Sequence, residues 1–171
     1  MLNGNEWHQL HSEFLSDAQA LLTRSDECLA HLELISDDKD AIECLLDSLQ
    51  KIAGEADKAS VAPLASFARQ LRYLLYFAHA AGRIHAKALE SLRSCFSLLA
   101  WQVELIDPHS GQLLMDDEEQ QQLLEHFGCC SGIGALEASP VHPVRWAPSG
   151  ALQSRPAGTS AGGRTRHTTG F

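Results

Sequence analysis

The chain has 171 residues, 44% of them hydrophobic, with 13 Lys and Arg against 22 Asp and Glu. That suffices for one ordinary domain with a real apolar core and extra segments, but no apolar run approaches the roughly 18 residues of a membrane span. Four of the bases (Arg145, Arg155, Arg164, Arg166) but only one acid (Glu137) follow Phe127, leaving nine bases against 21 acids before it; so acidic a body argues against nucleic acid as a partner, because phosphate binding needs a basic face.

The N-terminus, MLNGNEWHQLHSEF, has no basic region followed by an apolar stretch, so it does not read as a secretory signal. From residue 7 to residue 35, Trp7, Leu10, Phe14, Ala18, Leu21, Cys28, Leu32 and Ile35 recur mostly at steps of three or four, one amphipathic helical face. Ser25 or Asp26 could break it, so one long helix or two shorter ones fit. SDDKD then reads as a loop, with Asp37 or Asp38 as N-cap.

The second helix extends to about Lys58, with Ile42, Leu45, Leu46, Leu49, Ile52, Ala53 and Ala56 as its apolar stripe. Beside that stripe stands Gln50, and one turn on stands Gly54. A glycine in mid-helix costs about 0.5–1 kcal/mol relative to alanine, so it asks for a reason, such as the close approach of another surface.

Ser60 is the expected cap of the third helix, with Pro63 in the first turn, where a missing N–H does no harm. Its inner face reads Leu64, Phe67, Ala68, Leu71, Leu74, Leu75 and Ala78, and Gly82 ends it. The fourth helix spans roughly Ile84 to Ile106, with Leu89, Leu92, Cys95, Phe96, Leu99, Val103 and Ile106 inward. DPHSG at 107–111 has turn chemistry. A short acidic helix, DDEEQQQLLEHF, follows, its acids at the end that the helix dipole favours. No stretch alternates like a strand. The expected fold is all-α: an antiparallel four- to five-helix bundle over residues 1–127.

Residues 128–171 change character. Gly, Ser, Thr, Pro, Ala and Arg dominate without helical period, a composition expected to stay disordered because burial cannot repay its ordering entropy. It also resembles an out-of-frame translation of a GC-rich coding sequence, which would make the tail non-native.

Cys28, Cys44 and Cys95 fall on or near apolar faces, where cysteine is usually a small buried hydrophobe. With the Cys129–Cys130 pair they form no Cys-x-x-Cys motif, so neither zinc nor any other cofactor is expected, and the chain reads as reduced and cytoplasmic. His31 and Cys28 share a helix, but two groups do not make a metal site. The acids at 116–119 lack the spaced, glycine-containing pattern of a calcium loop. No phosphate-binding loop, dinucleotide fingerprint or catalytic constellation is visible, so no enzyme is expected.

Residues 14 to about 106 resemble a histidine phosphotransfer (HPt) domain, closest to the N-terminal HPt domain of chemotaxis-type histidine kinases. That family is a four- or five-helix bundle whose second helix carries a pattern near His-x-x-Lys-Gly, followed by a Leu-rich helix. The corresponding run here is QKIAGEADKASVAPLASFARQLRYLL. Gly54 matches the family glycine, Ser60 and Val61 the helix end, and Leu64, Ala68, Leu71, Leu74 and Leu75 the following core. The phosphoacceptor histidine falls on Gln50 and the lysine on Ala53.

Those departures carry chemical weight. The family histidine attacks phosphorus through a neutral ring nitrogen, while the partner supplies charge stabilisation. A glutamine amide is not nucleophilic and cannot carry a phosphoryl group this way. The resemblance therefore implies a module of two-component or chemosensory signalling that docks a response-regulator receiver domain or a histidine kinase without accepting phosphate. Its docking flank would be Glu43, Asp47, Gln50, Gly54 and Asp57, which share one side of the second helix, with Gln50 at least partly exposed. The three acids would favour a partner with a basic rim. One alternative is an active phosphotransfer protein using His79 or His85. Another is a helical interaction or dimerisation module unrelated to phosphorelay.

Overall fold

The computed structural model describes residues 6–133. The protein is an all-α bundle: α1 (Glu6–Leu10), α2 (Ser12–Leu34), α3 (Lys39–Lys58), α4 (Ala62–Ala80), α5 (Ala86–Glu104) and α6 (Asp117–Cys130). α2, α3, α4 and α5 close a ring, each packing on the next and α5 back on α2, while α6 packs across α4 and α5. The links 35–38, 59–61 and 81–85 are short, which makes successive helices antiparallel neighbours. No helix among the described residues is long and apolar enough to cross a membrane.

The expected core is in place. Phe14, Leu45, Leu49, Phe67, Leu71, Leu92, Phe96 and Leu99 are all buried in one cluster. The first helical face is corrected. The chain breaks at His11, not near Ser25, and Ser25 is buried inside α2 with its hydroxyl donating to the Leu21 carbonyl. The buried stripe of α2 is Phe14, Ala18, Leu22, Ser25, Leu29 and Leu32. Leu10 is 78% exposed and Ile35 half exposed, while Leu21 and Cys28 sit at the margin. The small polar Ser25, lying within the true stripe, hid it from a reading of apolar spacing.

α1 is one turn long, yet it orients Trp7. The indole N–H of Trp7 donates to the Ala59 carbonyl (3.3 Å), and the His8 N–H donates to the Pro108 carbonyl (3.0 Å). Trp7 also covers Gly111, whose φ of +70° and contact with the indole both exclude a side chain. The 107–111 turn, the α3–α4 corner and the N-terminal turn are thereby locked together.

Of the two expected caps of α3 it is Asp38 that serves, its Oδ1 accepting from the N–H groups of Asp40 and Ala41. Ser60 does not cap α4. Val61 takes that position without a side-chain bond, because Ser60 closes α3 in the left-handed region at φ +61°. The Val61 N–H reaches back to the Ala56 carbonyl (2.8 Å). Gly82 and Gly132 end α4 and α6 with the same left-handed turn, where Arg83 bonds back to Ala78 and Ile133 to Gly128.

The boundary expected at Phe127 lies inside α6, which continues to Cys130. Phe127 is buried and Ile133 nearly so. The Arg83 guanidinium donates to the Gly132 carbonyl at 2.8 Å, tying this end to the α4–α5 link. The expectation of a disordered tail otherwise falls on residues outside the described range.

Two stability outcomes follow from this packing. Leu71 is fully buried, so Leu71→Ala should lower the unfolding free energy in urea melts by about 2–5 kcal/mol. Gly111→Ala should cost about 1–3 kcal/mol by opposing its positive φ and displacing Trp7, with a matching change in tryptophan fluorescence; a neutral result would show that the Trp7 lock does not form.

Candidate functional site

The outer side of α3 carries the five flank residues. Glu43, Asp47, Gln50 and Asp57 are exposed, and Gly54 is half-buried. Their steps of four, three, four and three place them on one stripe, opposite the buried Ile42, Leu45, Leu49, Ile52 and Ala56. A side chain at Gly54 would meet open space. Packing within the bundle thus gives no reason for glycine in the middle of α3.

Ala53 is different. It is 2% exposed and belongs to the core. The position that the resemblance assigns to a family lysine therefore points inward here, and a charge placed there would be costly unless it reached back to solvent. Lys51, one residue beyond Gln50, supplies a cation on the exposed side, held by Asp47 at 2.8 Å.

The acidic character of the flank is reduced by such pairs. Asp57 meets the Arg69 guanidinium of α4 through both oxygens, the longer contact being 3.2 Å. Asp47 is paired with Lys51, and Glu43 has no ion-pair partner among the described residues. The expected preference for a basic partner rim thus rests on Glu43 rather than on three acids.

Arg69 carries the surface onward to α4. Beyond it lies a cleft of about 620 Å³ between α4 and α6, lined by Tyr73, Leu74, Leu124, Cys129 and Ile133 among others. Tyr73 and Tyr76 are each more than half exposed, and Phe77 lies 4.6 Å from the ring of Tyr73 and 5.4 Å from that of Tyr76. Sequence spacing did not single out this aromatic cluster. The signal was present as YLLYF, in which Leu75 turns inward, the three rings turn outward, and Leu74, expected on the inner face, is only half-buried at the cleft.

His79 and His85 are brought together. His79 is half-buried near the end of α4, His85 is exposed just before α5, and both line a cleft of about 350 Å³ with Asp37, Lys39 and Ile42. That cleft is at the opposite end of α3's first three turns from Gln50, roughly 16 Å along the helix from Lys39. The two histidines and Gln50 do not form one site.

A further grouping went unseen in the sequence. The Ser91 hydroxyl lies 2.9 Å from His126 Nδ1, and His126 Nε2 lies 3.7 Å from Cys130 Sγ. Ser91 is buried, so it orients the ring rather than meeting a substrate. His31 binds Asp38 at 2.7 Å and fastens the α2–α3 turn. Among the described residues no cluster of three or more metal-ligating side chains exists.

No family model, curated protein or solved structure matches this chain.

Three surface aspartates have depressed pKa values. The Ala41 N–H and then His31 lower Asp38, the Arg69 guanidinium lowers Asp57, and the His109 N–H leads the lowering at Asp107. A carboxyl depressed in the folded state adds stability that is complete above its ordinary value of 3.8 and is lost as pH falls through the lowered value. The urea midpoint should therefore hold level above about pH 5 and drop below about pH 4, with part of the drop removed in Asp57→Asn. Gly54→Ala, entering open space, should raise stability by about 0.5–1 kcal/mol; a loss would mean that the bundle itself requires this glycine.

Proposed function

We propose that this protein is an HPt-type module of two-component or chemosensory signalling that docks a response-regulator receiver domain or a histidine kinase and accepts no phosphate. The observation that carries this reading is Gly54. It is a mid-helix glycine that the bundle does not need, facing open space one turn from an exposed Gln50, on a helix whose opposite face is fully packed.

The chemistry supports docking without transfer. A partner surface can approach α3 closely at Gly54, and Gln50 can donate and accept hydrogen bonds there. Nothing on the flank is a phosphorus nucleophile of the imidazole type, and the inward Ala53 leaves the family's charge partner absent as well. On this reading the protein is not an enzyme. It acts in the cytoplasm, where receivers and kinases are, and competes for or stabilises a signalling partner.

A second reading has one observation in its favour. His79 and His85 share a cleft with Lys39, which would place a cation beside a phosphorylated imidazole. It predicts acid-labile label on the unmodified chain.

The test is binding and labelling with a panel of receiver domains. The unmodified protein should bind at least one receiver and take no acid-labile phosphate from it. Gly54→Arg should weaken binding at least tenfold while circular dichroism stays helical. Gln50→His should gain some label, since it returns a nucleophile to the exposed position. Label on the unmodified protein that is lost in His79→Gln or His85→Gln would transfer the role to the second reading. Binding indifferent to Gly54→Arg would remove the docking flank.

A further inference from the structure

α2 and α3 form an antiparallel hairpin closed by residues 35–38. Cys28 precedes the end of α2 at Leu34 by six residues, and Cys44 follows the start of α3 at Lys39 by five. At 1.5 Å per residue the two lie about 9 Å and about 8 Å from the turn, level with each other across the helix pair. Each is half-buried, at the margin of the seam whose interior holds Leu29, Leu32, Ala41 and Leu45. The Cys44 thiol is near enough to act on the Cys28 thiol. Both are free.

We propose that Cys28 and Cys44 are a redox-modification site, a dithiol that a hydroperoxide converts to a reversible disulfide joining α2 to α3. Two half-buried thiols on separate helices have no need to face each other for packing, which any two small apolar residues would satisfy. Level placement across a packed helix pair is the first thing a disulfide demands if it is to close with little movement of the backbone.

The step balances with the hydroperoxide as oxidant. The Cys44 sulfur attacks the outer peroxide oxygen, the O–O bond breaks, and an alcohol (water, from hydrogen peroxide) leaves. The Cys44 sulfenic acid is then attacked by the Cys28 sulfur. The S–S bond forms, the S–O bond breaks, and water carries away the oxygen and the Cys28 proton. The two sulfurs lose two electrons and two protons in all, and a cellular dithiol or glutathione reverses the change.

Burial and then the neighbouring Cys44 thiol push Cys28 up to about 12. Cys28 therefore holds its proton at neutral pH and is a poor initiator of attack on peroxide, since the thiolate is the nucleophile, and it gives that proton up only as the S–S bond forms. In a reducing compartment such a pair is transient and sensing rather than structural. Cys95 is a contrast within the same chain. It is fully buried, and desolvation pushes it up to about 12.

The experiment treats the full chain with hydrogen peroxide, blocks remaining thiols with iodoacetamide, and maps the peptides by mass spectrometry. Cys28 and Cys44 should be lost to alkylation together and recovered as one linked peptide pair lighter by two hydrogens. Dithiothreitol should restore both, and Cys95 should stay unmodified while the chain is folded. In Cys44→Ser, with the helical spectrum retained, Cys28 should remain alkylatable after peroxide. The proposal is overturned if Cys28 and Cys44 both stay alkylatable while Cys129 or Cys130 is consumed, or if either is found linked only to a cysteine of another molecule.

Discussion

The fold hangs on the inner face of α3. Ile42, Leu45, Leu49, Ile52 and Ala56 are within 1% of complete burial, and this face packs against α2 on one side and α4 on the other. Burying a leucine or isoleucine fully contributes about 1.5–3 kcal/mol, so the stripe fixes the rotation of α3 about its axis far more strongly than any surface pair. With the rotation fixed, the opposite flank has no freedom. Glu43, Asp47, Gln50, Gly54 and Asp57 must face solvent, whatever they do there.

The ends of α3 hold it in the same setting. Asp38 caps the N-terminus and also receives His31 from α2. The left-handed Ser60 closes the C-terminus, and Trp7 bonds the Ala59 carbonyl there. Asp57 and Arg69 add a rim contact between α3 and α4, of the exposed kind that contributes little to stability but sets local charge. The helix so held leaves one flank bare, with open space at Gly54 where the proposed partner surface would come close. Gln50 itself is exposed and its amide is not a nucleophile.

Much of the bundle was legible in the sequence because helical burial has a period. The inner faces of α3, α4 and α5 followed from steps of three and four, and Asp38 and Gly82 from the chemistry of helix ends. Where the reading failed, a specific residue broke the rule. Ser25 buries a hydroxyl by returning it to the Leu21 carbonyl, so a polar residue stood where the pattern expected an apolar one. Ser60 occupies a left-handed turn that more often takes glycine, which moved the start of α4. The site was half legible. Gln50 and its flank lie where helical spacing puts them, but the inward turn of Ala53 and the Asp57–Arg69 pair depend on neighbours far along the chain, and no local pattern carries them.

The central claim is that α3 presents its bare flank to a signalling partner, and amide hydrogen exchange in the presence of a bound receiver domain tests it most directly. The account predicts added protection concentrated in residues 43–57, greatest around Gly54, with the α2–α5 seam unchanged. Protection centred instead on Tyr73, Tyr76 and the α4–α6 cleft, with residues 43–57 exchanging as in the free protein, would contradict it.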